Sequence, residues 1–331
     1  MGAPGDSGSA EDRLIARLFK PLARHPGALG LTDDAAFITP PPGTDVVLKA
    51  DAIIAGVHFF PDDPAEAVAR KALRVNLSDL AAKGATPLGF LLSLAVPKDV
   101  GDVWLEAFAR GLGDDAKRYA CPLMGGDTDR TPGPATISIA AFGSVPQGRM
   151  VRRGGARPGD HVLVTGTIGD AALGLRVRRG QTLNVSATER AHLTERYLLP
   201  QPRNALAEAL RVHANAAMDI SDGLVGDFTK LCRASGATAT IEVARVPLSG
   251  AAKSALAADA GLVEPILTGG DDYEVACTVA PGELAAFRNA AMSAGVPVAE
   301  IGRIAAGEGA PSFLDVNGKP LAFAHGSFSH F

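Results

Sequence analysis

Between residues 148 and 160 the chain reads GRMVRRGGARPGD, a run rich in Gly and Arg and nearly empty of core-forming side chains. Such a run buries little apolar surface, so it marks a boundary between two folded regions. A chain of 331 residues also suits about two domains. We therefore expect a first domain over 11–150 and a second over 151–331. Residues 1–10, rich in Gly, Ser and Pro, are expected to be a disordered N-terminus.

Each half mixes strand-like and helix-like runs. In the first, Leu14, Ile15, Leu18, Phe19 and Leu22 recur at helical spacing over 11–22. A buried strand is expected over 45–54, with further strands over 90–96 and 135–145. Helices are expected over 64–83, where Lys71, Arg74 and Lys83 read as a solvated face, and over 104–119. The second half restarts with a strand over 161–165, and TGTIGDAALGL then leads into a helix. Strands over 216–220 and 273–279, a helix from Ser221 and another over 283–294 follow. The class is α/β or α+β, with helices packed on mixed sheets in each domain.

Lys and Arg number 32 against 36 Asp and Glu, a net charge of −4. That balance disfavours binding of nucleic acid by bulk charge. The three cysteines, Cys121, Cys232 and Cys277, are far apart and form no C-x-x-C, which argues against a disulfide framework or structural zinc and for a reducing compartment. No apolar run approaches membrane-spanning length, and the first ten residues lack the apolar core of a signal peptide, so a cytoplasmic location is expected. The sequence holds no G-x-x-x-x-G-K-[ST], no protein-kinase set, no G-x-S-x-G and no H-E-x-x-H.

What recurs instead is Asp at the ends of apolar runs. Asp33 and Asp34 lie in LTDDAAF, Asp51 follows VVLKA, and Asp79 falls late in a helical run. Asp127 and Asp129 lie in MGGDTDR, Asp219 and Asp222 in MDISDGL, and Asp271 and Asp272 in TGGDDYE. Converging carboxylates without Cys or His make a hard all-oxygen site suited to Mg²⁺, which binds through one or two carboxylates plus substrate phosphates. Each position also has a plainer reading. Asp33–Asp34 fit a turn, Asp127 a tight turn after two glycines, and Asp222 the first turn of a helix capped by Ser221. Asp51 in a buried strand is harder to explain away, since an unpaired buried carboxylate is costly. Of Arg149, Arg152, Arg153 and Arg157, one guanidinium could meet a nucleotide phosphate between the domains, or the group could be a solvated linker. His58, in AGVHFF, fits a packed polar group as well as a functional one.

Taken together, LIARLF (14–19), TDDAA (32–36), AGVHF (55–59), KALRVNLSDLAAKGA (71–85), MGGDT (124–128), RRGGARPGD (152–160), VTGTIGDAALGL (164–175), MDISDGLVGD (218–227), LTGGDDYE (267–274) and IGRI (301–304) resemble the thiamine-monophosphate kinase family of the aminoimidazole-ribonucleotide synthetase-like superfamily. The resemblance covers nearly the whole chain in the family's order. It implies a two-domain synthetase-like fold and a homodimer paired through the first domains. The implied activity is ATP-dependent phosphorylation of thiamine monophosphate to thiamine diphosphate, the last step in making that cofactor, with several Mg²⁺ ions. By resemblance, Asp34, Asp51, Asp79, Asp127, Asp219 and Asp222 hold metal. Gly126, Asp127, Arg153 and Ser221 meet the nucleotide, while His58, Asp271 and Phe328 meet the thiamine phosphate. Asp79, Asp127 and Arg153 act at the transferring phosphoryl group.

Three positions depart from the family pattern. Thr32 stands where a Gly is usual, Lys49–Ala50 replace a hydroxyl pair before Asp51, and Asp271 replaces a Glu. Two other readings stay open at this stage. One is a sibling synthetase of the same superfamily. A selenophosphate-forming sibling needs an N-terminal Cys, and a hydrogenase-maturation sibling a C-terminal one; this chain has neither. The other is a nucleotide- and Mg²⁺-binding regulator without turnover.

Overall fold

The computed structural model describes residues 9–324, 326 and 327. The chain forms two compact units, one running up to Asn76 and over Pro87–Ser144, the other comprising Leu77–Thr86 and everything from Val145 on.

Unit 1 opens with α1 (Ala10–Leu14), whose first turn closes a capping box. The Ser9 hydroxyl accepts the Asp12 N–H at 3.0 Å, and the Asp12 carboxylate accepts the Ser9 N–H at 2.7 Å. Ser9 and Ala10, expected to be disordered, therefore begin a helix; residues 1–8 lie outside the described residues. The helix widens into a π-type turn over Ile15–Phe19 and tightens into a 3₁₀ turn over Lys20–Leu22. Pro21 has no N–H to donate, which ends the regular ladder there.

Next come β1 (Thr44–Ile54), α2 (Ala65–Ala82), β2 (Thr86–Pro97), α3 (Asp102–Arg118), β3 (Leu123–Thr131) and β4 (Thr136–Pro146). The strands form one sheet in the order β1-β4-β2-β3, with β2 and β3 parallel. Phe90, Leu92, Leu94 and Val96 alternate along β2 and are all buried, the period expected when one strand face meets a core. β1 is an edge strand, and of its residues only Val47 and Ile53 are buried, so the expected buried strand over 45–54 is half-solvated.

Helix α2 has no solvated face. Lys71 and Arg74 are 2% and 3% exposed, which corrects the expectation for both. Arg74 pairs with Asp115 of α3, its Nε 2.5 Å and its Nη2 3.0 Å from the two carboxylate oxygens. The Lys71 ammonium donates to the His58 carbonyl at 2.9 Å. Charges survive burial when each finds a partner of this kind.

Unit 2 holds β5 (His161–Thr165), α4 (Asp170–Arg178), α5 (Ala187–Leu198), α6 (Ala207–His213), β6 (Ala214–Ile220), α7 (Leu224–Ser235), β7 (Thr238–Glu242), α8 (Gly250–Ala258), α9 (Val263–Thr268), β8 (Glu274–Val279), α10 (Leu284–Ser293), β9 (Val298–Ala305) and β10 (Ser312–Leu314). Its sheet runs β10-β7-β9-β5-β8-β6. Strand β5 is antiparallel to both neighbours, and among the described residues of this sheet β10 and β7 are the parallel pair.

Both faces of this sheet are covered. Val162 and Val164 of β5 join Ala216, Met218 and Ile220 of β6 in one core with Leu173, Phe228 and Ile266. Leu163, Ala217, Val275 and Cys277 point the other way, into a second core with Leu210 of α6 and Phe287 of α10. The central strands therefore read as unbroken apolar runs, since each alternate residue meets its own layer. Ala82, at the end of α2, belongs to the second core. Among the described residues, no helix is long and apolar enough to cross a membrane.

Candidate active site

In unit 1, a cavity of about 710 Å³ lies against β2 and β3. Ile15, Leu91, Met124 and Phe142 make much of its apolar wall, and Asp33, Asp34, Gly126 and Asp127 lie along it. Among the described residues, the ionisable side chains on the wall are all carboxylates: Glu11, Asp33, Asp34 and Asp127.

The MGGDT run places Asp127 on β3 rather than in the tight turn its two glycines suggested, paired in register with Ser93. The glycines serve close approach instead. A β-carbon on Gly126 would lie 1.9 Å from the Leu92 carbonyl oxygen. Asp127 Oδ1 accepts the Thr128 N–H at 3.0 Å, and Asp33 Oδ1 accepts the Asp34 N–H at 2.8 Å. Asp33, Asp34 and Asp127 are exposed.

Asp51 is not the unpaired buried carboxylate expected from the sequence. Its side chain is 43% exposed, and Lys49 Nζ stands 3.1 Å from Oδ2. Edge position and the lysine two residues back on the same strand face explain both facts. The Asp51 N–H donates to Asn76 Oδ1 at 2.9 Å. His58 Nδ1 accepts the Ile54 N–H at 3.1 Å, which places the proton of the neutral ring on Nε2.

In unit 2, Asp219 lies next to last in β6 and is buried, while Asp79 on α2 is half-buried. Ser221 is not a helix cap. Helix α7 starts at Leu224 with Gly223 as its cap, so Asp222 lies outside the first turn. The local order runs the other way. Asp227, in that first turn and 1% exposed, accepts the Ser221 N–H at 2.9 Å and the Asp222 N–H at 2.8 Å on Oδ2. Lys230 Nζ stands 2.8 Å from Asp227 Oδ1 and 2.6 Å from Asp222 Oδ2. Burial pushes the Asp227 carboxyl up. Burial also works to lower the Lys230 ammonium, but its two carboxylates outweigh that and hold it above its ordinary value.

The TGGDDYE turn lies alongside. Asp271 donates its N–H to the Ser221 carbonyl and Tyr273 donates to Ile220, both at 2.8 Å. A β-carbon on Gly270 would come within 2.4 Å of the Ser221 carbonyl oxygen, so this approach needs glycine. Asp271 and Tyr273 take left-handed backbone conformations, with φ of 72° and 51°. Such strain in non-glycine residues concentrates at functional sites.

The next carboxylates are structural. Asp272 is buried, accepts the Gly169 N–H at 2.8 Å, and is pushed well up by burial, with Asp170 and Glu274 adding to the effect. Glu274, fully buried, meets Arg196 Nη2 at 2.9 Å, Arg203 Nε at 2.6 Å and the Thr165 hydroxyl at 2.6 Å. Sequence reasoning assigned no role to Asp227, Lys230 or Glu274. The i, i+3 spacing of Asp227 and Lys230 was the available signal for the first two. Arg153 is exposed, and Phe328 lies outside the described residues.

Among the described residues, no three His, Cys, Asp or Glu side chains stand together as a ready-made cage. The donor chemistry nonetheless suits a hard cation. Exposed carboxylates line the unit 1 cavity with no cationic side chain among the described wall residues, and a polyphosphate approaching that wall needs positive charge to come with it.

Residues 32–145 match the family model for the AIR synthase related protein N-terminal domain, and residues 157–313 match that for the C-terminal domain. The two matches thus define a two-domain AIR synthase related protein. A thiamine-monophosphate kinase from Caulobacter vibrioides is 44% identical, with 98% of this chain and 93% of that protein covered. The crystal structure of thiamine-monophosphate kinase from Stenotrophomonas maltophilia matches with a TM-score of 0.83 at 37% identity, covering 94% of this chain and 96% of that one. AaThiL complexed with AMPPCP and TMP matches with a TM-score of 0.77 at 30% identity, covering 97% and 94%. Within its class, this chain belongs to the thiamine-monophosphate kinase family.

Proposed function

We infer that this chain transfers the γ-phosphoryl group of ATP to the phosphate of thiamine monophosphate, giving thiamine diphosphate and ADP. Its near full-length kinship with thiamine-monophosphate kinases supports this, as does the likeness to the AaThiL complex with AMPPCP and TMP. The observation that carries the reading is the all-carboxylate set of ionisable side chains on the unit 1 cavity. That wall suits a nucleotide arriving with its cations.

In the transfer, a phosphate oxygen of thiamine monophosphate bonds to Pγ as the bond from Pγ to the β–γ bridging oxygen breaks. Attacker and donor are both anionic, so alignment and charge compensation are the main tasks. Mg²⁺, when bound, supplies charge neutralisation on the phosphates. Asp34, Asp51, Asp79, Asp127, Asp219 and Asp222 are the residues assigned to hold it. Gly126, Asp127 and Ser221 seat the nucleotide, with Arg153 offering a guanidinium to the moving phosphoryl group. His58, Asp271 and Phe328 are assigned to the thiamine phosphate. No residue need act as a base, because a phosphate monoester is already largely deprotonated at neutral pH.

We place the enzyme in the cytoplasm as a homodimer paired through unit 1. Exposed Phe37, Leu48 and Val57 there, at 56%, 70% and 51%, support the pairing. The test of function is chromatography of products from ATP, Mg²⁺ and thiamine monophosphate, with thiamine and metal-free controls. Metal-dependent, equimolar thiamine diphosphate and ADP are expected from the monophosphate alone. ADP without thiamine diphosphate would overturn the substrate assignment, and no turnover would overturn the kinase reading.

A further inference from the structure

We propose that Lys230 is the resting counter-ion of Asp222, competing with a divalent cation for that carboxylate, and that buried Asp227 is the anchor that holds Lys230 there. The inference rests on the reading that Asp222 binds such a cation.

The geometry is that of a latch with a fixed and a movable end. Asp227 is 1% exposed, and three donors share its two oxygens: the Ser221 and Asp222 amides on Oδ2 and Lys230 on Oδ1. This end is buried and many-handed, so it fixes the backbone of the Ser221–Asp222 turn. Lys230 lies one helical turn beyond Asp227 on α7, which brings both side chains to one helix face. Its ammonium reaches across to Asp222 Oδ2 at 2.6 Å, where both side chains are partly open to solvent, at 40% and 36%. One ammonium thus serves two carboxylates and leaves the trio with a net charge of about −1.

A dication at the Asp222 carboxylate and an ammonium at contact distance from Oδ2 repel each other, so the two compete for that carboxylate. Cation binding at Asp222 therefore weakens that residue's hold on Lys230, while Asp227 still holds the ammonium on Oδ1. Lys230 keeps the turn in its binding shape when the cation is absent, and it lowers affinity for the cation by competing for Asp222. It is a positioning residue: its removal shifts cation affinity in the direction opposite to removal of a ligand.

The test uses the full-length protein with Mn²⁺ as probe. Binding is followed by the loss of the free Mn²⁺ paramagnetic resonance signal, without nucleotide and with a non-hydrolysable ATP analogue. Lys230→Met is expected to bind Mn²⁺ roughly two- to fivefold more tightly than the parent, the scale of a half-exposed ion pair. Lys230→Arg, which keeps the charge, is expected to stay close to the parent. Asp222→Asn, nearly the same shape, is expected to lose affinity. Circular dichroism checks that each variant is folded, and the arginine variant carries the comparison if the methionine variant is not. Weaker binding in Asp222→Asn with no tightening in Lys230→Met overturns the counter-ion role and leaves the cation reading standing. If the arginine variant must stand alone, affinity unlike the parent's overturns the role. Unchanged binding in Asp222→Asn overturns the cation reading of that residue, and the latch falls with it.

Discussion

Replacing Glu274 by Gln tests whether the last acid of TGGDDYE serves the fold or the substrate. Glu274 is fully buried at the start of β8, where its carboxylate meets Arg196, Arg203 and the Thr165 hydroxyl. Glutamine keeps the volume and one acceptor oxygen, so the change removes charge and not shape. Removing one partner of a buried charge cluster costs about 3–5 kcal/mol, because the desolvated guanidiniums lose their compensation. In a unit of this size each kcal/mol shifts Tm by about 2–4 °C, so a fall of about 6–20 °C is expected. Differential scanning calorimetry is the assay, since a chain of two units need not melt in one transition. Turnover measured well below the new transition should remain within a few-fold of the parent. A Tm change under about 3 °C would refute the charge argument. An unchanged Tm with abolished turnover would move Glu274 into the substrate site.

Asp127→Asn, at an exposed carboxylate on the cavity, should lower kcat by about a hundredfold or more while changing stability by no more than about 0.5 kcal/mol, checked by the product assay and a melt. Asp272, raised above its ordinary 3.8, contributes stability that is fully present below that pH and is lost as pH rises through the raised value. Asp272→Asn removes this titration, so its Tm should vary less with pH above about 4 than the parent's; parallel curves would contradict the assignment. Burial pushes the Cys121, Cys232 and Cys277 thiols up to about 12, 11 and 12. The folded protein should therefore resist a disulfide reagent at pH 8, with all three thiols reacting in denaturant.

The long apolar runs were legible because burial writes its period into the sequence. Leu105, Phe108 and Leu112 of α3 are all buried, as helical spacing requires. The errors fall where tertiary partners decide. Gly125–Gly126 has the look of a turn, and only the neighbouring Leu92 shows that the glycines permit a strand to approach. Lys71 and Arg74 have the look of solvated charges until the His58 carbonyl and Asp115 are brought against them. Ser221 has the right composition for a cap, but a carboxylate six residues later takes its amide. The acidic segments themselves were visible as repeated Asp at element ends. Their division of labour was not, since Asp271, Asp272 and Glu274 are neighbours in sequence with very different surroundings.

Residues 77–86 have a consequence for how such a chain can be divided. They follow directly on the first part of α2, yet they belong to unit 2. There Leu77 O accepts from Asn204, Lys83 donates to the Ala217 carbonyl, and Arg211 donates to the Gly84 carbonyl. A second half severed at the Gly- and Arg-rich linker would lack a piece of its own interior, and the first half would carry that piece as an orphaned greasy insert. No single scission yields two intact products. Recombination or fragment exchange that treats the halves as interchangeable cassettes must carry this ten-residue stretch across with its distant partner, as a graft from the middle of one half into the other.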